Sequence, residues 1–267
     1  MSDIISIDQS DTIKEFLKVH EAKPVYNIKS PMATSYIDKD SPLLSPEDKV
    51  RYQSIVGSLN YFAQILRWDI SFPANRLSHH SANPRVSSWR AMERVLSYML
   101  STVDFSISGR MLEGSDVMDS YSDSDLAGKA SESTRSQTGS MILLNGVPIH
   151  WRSKTQCKTS KSIAQAEIYA LSNTLSDARD MYWRLQCMRV NIPKPLRLYT
   201  DNKQAQSFTT ATCLRSRLRG CFSLHEAWVQ ELKDDGWVEA RHVKAEDNAA
   251  DILTKSLGSS DFAREKR

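Results

Sequence analysis

The sequence predicts an α/β protein: a five-stranded mixed sheet with flanking helices, preceded by a small helical segment. Three observations predict it. Residues 46–105 carry apolar side chains at helical spacing, with Ile55, Val56, Leu59, Phe62, Ala63 and Leu66 on one stripe. At Gly109 the period changes, and Val117–Asp123, Ser140–Leu144 and Val147–Arg152 read as strands around the hairpin signal Asn145-Gly146. A long helical pattern from Ile163 to Val190 then gives way to short strands alternating with helices, and that order argues for a mixed sheet covered by helices.

Residues 1–45 are expected to be an extended N-terminal segment. Helical spacing there is confined to Thr12–Val19, and four prolines fall between Pro24 and Pro46. Ser45 can cap the next helix, Pro46 suits its first position, and Glu47 and Asp48 suit the positive end of its dipole. A second helical stretch begins at Asp69 and breaks at Asn83-Pro84. A third runs from Ser87 to Leu100, with Trp89, Met92, Val95, Leu96 and Met99 on one side. Residues 46–105 thus form a helical segment, 114–257 a sheet-containing domain, and 258–267 a C-terminal tail. Within the domain, Pro193 and Pro195 end the long helix, and Leu196–Thr200 is a strand. Leu224–Leu232 is a helix closed by Gly236, Trp237–Val243 a strand, and Ala249–Lys255 a last short helix.

Composition narrows the class. Of 267 residues, 40% are hydrophobic and 25% charged, enough for a core and against global disorder. Lys plus Arg total 35 and Asp plus Glu 32, so a net charge of +3 does not advertise nucleic-acid binding, although a local basic face can. No apolar run approaches the roughly 18 residues of a membrane span. The opening Met1–Asp11 is polar and acidic, unlike a secretory signal. Cys157, Cys187, Cys213 and Cys221 show no CxxC pair or zinc spacing, which fits reduced thiols in an intracellular protein.

Four acids stand where chemistry is built. Asp123 ends the first strand of the domain and Asp201 ends the fourth. Glu167 lies among alanines and isoleucine on the long helix, and Asp251 lies in the apolar stretch Ala249–Leu253. Singly, each has a bland role as a turn former, a cap or an exposed helix residue. Jointly they are more specific. Carboxylates in an apolar face cost free energy unless paired or metal-bound, and oxygen-only ligands favour magnesium or manganese.

The segments Tyr121–Gly128, Ser136–Gly139, Leu144–Gln156, Ala166–Leu171, Tyr199–Lys203 and Asn248–Leu257 follow one another in an order and wording that resemble the ribonuclease H domain of copia-type retrotransposon Pol polyproteins. Upstream, Ser30–Met32, Tyr52–Tyr61, Arg67–Ile70, Asn75–Ser78 and Asn83-Pro84 are similar to the end of reverse transcriptase and the connection in the same polyproteins. The likeness covers about residues 24–258. The Tyr-x-Asp-Asp word of the polymerase site is absent, Leu126 stands where the family usually has Trp, and Leu218–Phe222 replaces its His-Ile-Asp word.

The resemblance implies a ribonuclease H-like fold and endonucleolytic hydrolysis of the RNA strand of RNA–DNA hybrids by two Mg2+ ions, with Mn2+ as an alternative. Asp123 would bridge ions about 3.5–4 Å apart, with Glu167 and Asp201 on one and Asp251 on the other. Arg152, Lys154, Lys158 and Lys161 form one basic cluster and Arg215, Arg217 and Arg219 another, both suited to phosphates. Ser124 and Asn202 are placed to meet 2′-hydroxyls. His242 and His225 read as ordinary strand and helix residues. The partners implied are the hybrid and other parts of a retroelement polyprotein, in the cytoplasm or nucleus. The competing reading is a catalytically silent truncated remnant that only binds nucleic acid or another protein.

Overall fold

The computed structural model describes residues 4–24, 28–33, 40–110, 116–126, 135–210 and 224–265. The chain divides into two compact units, Ile5–Ser108 with Lys255–Arg267, and Gly109–Thr254 with Met1–Ile4. In chain order the first elements are β1 (Ile4–Asp8), α1 (Ser10–Val19), α2 (Pro46–Ile65), α3 (Ser71–Ser78), α4 (Val86–Ser101) and β2 (Ser106–Arg110). β1 and β2 form a two-stranded sheet. α2 starts as its sequence dictates: Ser45 Oγ accepts the Asp48 N–H at 3.1 Å, and Pro46 needs no partner at the first position. Its stripe of Tyr52, Ile55, Val56, Leu59, Phe62 and Ala63 is buried. The second expected helix is α3 preceded by a single 3-10 turn, Trp68–Ile70. α4 buries Met92, Val95, Leu96 and Met99.

The second unit continues with β3 (Met118–Asp125), β4 (Gln137–Leu144), β5 (Val147–Thr155), α5 (Ile163–Cys187), β6 (Leu196–Thr200), α6 (Lys203–Thr210), α7 (Leu224–Asp234) and β7 (Val238–His242). The sheet order is β5-β4-β3-β6-β7. β3, β4 and β5 are antiparallel neighbours, while β6 runs parallel to both β3 and β7. This is the mixed five-stranded sheet with flanking helices that the resemblance implies. Asn145 (φ 52°) and Gly146 (φ 82°) make the β4–β5 turn in the left-handed region such hairpins require. Asn145 also accepts the Val117 N–H at 2.8 Å, tying the turn to the start of β3. α5 covers one face of the sheet. Ile168, Leu171 and Leu175 pack with Leu198, Val229, Leu232 and Val238, and Ala178, Tyr182 and Leu185 with Met118, Ile142 and Leu196.

Three expectations are corrected. α5 stops at Cys187, before either proline, because Arg189 turns left-handed (φ 64°) and Val190 N–H reaches back to the Leu185 carbonyl at 2.9 Å. Residues 1–45 are not simply extended: the helical spacing of Thr12–Val19 is realised in α1, which buries Ile13 and Leu17, four apart on one face, and the unexpected strand β1 precedes it. The last residues are not a bare tail. α8 (Ser259–Glu265) buries Phe262, whose ring meets Tyr98 edge-on at 5.7 Å.

The helical unit holds a fully buried ion pair. Arg67 donates to both Asp69 oxygens, at 2.9 and 3.0 Å, and to Thr102 Oγ1 at 2.7 Å, while Tyr98 Oη donates to Asp69 Oδ2 at 2.7 Å. Removing one charge strands the other in the core. Asp69→Ala should therefore cost about 3–5 kcal/mol in urea unfolding. A loss below about 1 kcal/mol, the scale of an exposed pair, would contradict this picture.

Candidate metal centre

Asp123 and Asp201 come together through topology. Tyr121 of β3 stands opposite Tyr199 of β6 in a parallel pair, so Asp123 and Asp201, two residues further on, come together. Asp201 follows the end of β6, whereas Asp123 is still paired with Gly139 within β3, which runs on to Asp125 rather than ending at Asp123 as expected. The two tyrosine rings mark that shared face, stacked 4.8 Å apart at 15°. Glu167 arrives from the second turn of α5, whose start is fixed by Ser162 Oγ accepting the Gln165 N–H at 3.2 Å. One carboxylate oxygen from each of Asp123, Glu167 and Asp201 lies within 4.8 Å of the others. Asp123 and Glu167 are buried and Asp201 partly so.

The electrostatics are unfavourable without a cation. Glu167 is pushed up to about 9, first by burial, then by the charges of Asp123 and Asp201, with Ser124 opposing. Its Oε2 is buried with no hydrogen-bond partner. The ion pairs of the described residues include neither Asp123 nor Glu167. Three hard oxygen donors around an orphaned buried oxygen fit a divalent cation of the magnesium or manganese type.

Asp251 is not a member of this trio. It is buried at the start of a 3-10 turn, Asp251–Leu253, rather than in the longer helix expected. That turn is nevertheless bound to the site. Thr254 Oγ1 donates to Asp123 Oδ2. Asn248 Nδ2 donates to the Ser122 carbonyl at 3.1 Å, and Ser153 Oγ to the Leu253 carbonyl at 2.6 Å. Gly139 of β4 permits the approach: a Cβ there would stand 2.6 Å from the Ala250 carbonyl oxygen.

The remaining expected contacts divide. Ser124 stays beside the trio on β3. Lys154, Lys158 and Lys161 are exposed where β5 runs into α5. Arg152 is otherwise engaged: its Nη2 lies 2.5 Å from Asp177 Oδ2 and donates to the Asn173 carbonyl at 3.3 Å, bracing β5 against α5. Asn202 Oδ1 accepts the N–H groups of Gln204 and Ala205 at 2.9 and 3.0 Å, so its side chain caps α6. Arg215, Arg217 and Arg219 lie outside the described residues.

His242 is closer to the site than its strand pattern suggests, with Nε2 3.1 Å from the Asp201 carbonyl oxygen. Thr254 was also unmarked by the acid pattern. The available signal was its spacing, three residues after Asp251 in one apolar word.

Sheet order and acid trio together define a ribonuclease H-like domain with an all-carboxylate site. The chain is 33% identical over 245 residues to the retrovirus-related Pol polyprotein from transposon RE2 of Arabidopsis thaliana, covering 90% of this chain and 16% of that one. It is 30% identical over 244 residues to the polyprotein from transposon RE1 of the same plant, again covering 90% and 16%. The chain belongs to the family of retrovirus-related Pol polyproteins of copia-type transposons, and it spans about one sixth of the length of these curated relatives. No protein-family model matches it. Among solved structures, LC11-RNase H1 isolated from compost aligns with a TM-score of 0.37 at 17% identity, covering 52% of this chain and 92% of that one. The fold assignment rests on the sheet order itself.

The raised Glu167 carboxyl gives a pH dependence of known sign. Between its ordinary value of 4.5 and about 9, the unfolded chain releases a proton that the folded chain keeps. Metal-free stability therefore falls as pH rises through that window. In a chelator, Glu167→Gln should fall less from pH 5 to pH 8 than the wild type. The gap in unfolding free energy should reach about 1.4 kcal/mol or more. Parallel pH profiles for the two proteins would show that burial and the neighbouring acids do not act on Glu167 as described.

Proposed function

We propose that this chain is a ribonuclease H-type endoribonuclease of a copia-type retroelement, hydrolysing the RNA strand of RNA–DNA hybrids. The observation that carries the reading is the convergence of Asp123 on β3, Asp201 just past the end of its parallel neighbour β6 and Glu167 on α5, in a chain of the Pol polyprotein family. Asp123, Glu167 and Asp201 would hold Mg2+ or Mn2+, with Asp251 contributing from the adjoining turn. Bound as a pair, such ions activate water and stabilise charge on the attacking and leaving oxygens of a phosphodiester.

The chain's own groups position and grip. Thr254 bonds Asp123, and the His242 ring is set against the Asp201 carbonyl. No side chain is needed as a nucleophile. Lys154, Lys158 and Lys161 supply exposed cations for phosphates ahead of α5; the run Arg215, Arg217 and Arg219, outside the described residues, would add to them on its sequence alone. The hydroxyl of Ser124, beside Asp123, is expected from the sequence to meet a ribose 2′-OH, but it is buried and the residue bonds the Glu167 carboxyl, so Ser124 belongs to the acid site rather than to the substrate contacts. Arg152 and Asn202 are left out of the substrate contacts because their side chains brace α5 and cap α6.

The direct test is hydrolysis of an end-labelled RNA–DNA hybrid. With Mg2+ the RNA strand should be cut and the DNA strand left whole. Cleavage should vanish in chelator and fall to background in Asp201→Asn. A folded wild-type protein that binds Mn2+ but leaves the RNA intact would instead identify a silent remnant.

A further inference from the structure

We infer that Thr254 is a positioning residue: its hydroxyl orients the Asp123 carboxylate for the cation. This inference rests on the metal reading above. Thr254 is fully buried, and Oγ1 lies against both Asp123 Oδ2 and the Asp251 carbonyl, the latter at 3.0 Å. A hydroxyl has one proton to give, and an ionised carboxylate is the stronger acceptor. A carboxylate held through Oδ2 cannot rotate freely, so its other oxygen has one direction.

The hydroxyl is itself fixed from three strands. Asn248 ties the turn to the Ser122 carbonyl of β3, next to Asp123. Ser153 of β5 holds the Leu253 carbonyl. Over β4, the Thr254 methyl fills the notch left by Gly139: Cγ2 lies 2.7 Å from where a Cβ would stand. The β-branched side chain is thereby confined to one rotamer. The same turn carries Asp251, whose N–H donates to the Asn248 carbonyl at 3.0 Å. One short segment thus presents one acid and aims another.

The test compares wild type, Thr254→Ser and Thr254→Val by calorimetric Mn2+ titration, with kcat and KM measured on hybrid. Thr254→Val should weaken Mn2+ binding about 10- to 100-fold, the usual effect of losing a residue that orients a metal ligand. At saturating Mn2+ it should lower kcat and leave KM for hybrid unchanged. Thr254→Ser, which keeps the hydroxyl, should stay within a few-fold of wild type. Melting in chelator checks folding, and Thr254→Ala, which adds no bulk, is read the same way if the valine protein does not fold. Equal Mn2+ affinity in wild type and Thr254→Val would overturn the role of Thr254 and leave the metal centre standing. Equal losses in Thr254→Ser and Thr254→Val would assign the effect to methyl packing and also overturn it. A wild type that binds no Mn2+ would remove both readings.

Discussion

Everything at the candidate centre depends on the parallel pairing of β3 with β6. Antiparallel neighbours would send Asp123 and Asp201 to opposite ends of the sheet. Parallel strands in register place both at the same end, and the connection between them must cross over a face of the sheet. That crossover contains α5, and its second turn delivers Glu167 to the same place. The cost of the arrangement is electrostatic. Three carboxylates within 4.8 Å repel, and the most deeply placed helix acid responds by holding its proton.

The chain treats buried acids in two ways, and the contrast separates structure from site. In the helical unit, Asp69 is fully buried and answered by Arg67, Tyr98 and the surrounding hydrogen bonds. A satisfied network of that kind specifies one packing and leaves no demand for a ligand. In the sheet unit, Asp123 and Glu167 are buried to a similar degree, yet among the described residues the groups that bond or face them are other acids, hydroxyls and a backbone amide. Such a set is stabilised by a cation from solution, which is why burial of charge points to chemistry in one unit and not in the other.

Much of this was legible from the sequence because local rules decide it. Ser45-Pro46, Ser162 and Asn145-Gly146 act within a few residues of themselves, and each element they start or turn lies where predicted. Asp123, Glu167 and Asp201 could be picked out because Glu167 sits in an apolar stretch and the two aspartates lie at or near the ends of strand patterns; Asp251, chosen from its apolar word, is not in the trio. What was not legible depends on contacts distant along the chain. Nothing local to Arg152 announces Asp177, and nothing near Gly139 shows that a turn more than a hundred residues later needs its missing side chain. Asn202 is another case: it caps α6, a helix that the sequence pattern did not mark, so its capping role was not legible either. Arg189 ends α5 through backbone conformation alone, with prolines downstream that suggested a later stop.

The same accounting shows how a net charge of +3 can hide a local basic surface. Arg67 and Arg152 are consumed by Asp69 and Asp177, and Arg197 and Arg241 face Asp119 and Glu239. Lys154, Lys158 and Lys161 remain exposed on the segment that leads into α5 and its Glu167. Positive charge is thus left at the approach and negative charge at the centre. A nucleic-acid backbone meeting that pattern is attracted by the first and repelled by the second. Divalent cations held by the acids, as proposed, would reverse the sign of the second contribution. By linkage, whatever factor they add to hybrid affinity, the hybrid adds to theirs. On the proposed reading, the acid trio would set both reactivity and the terms on which substrate and cation admit one another.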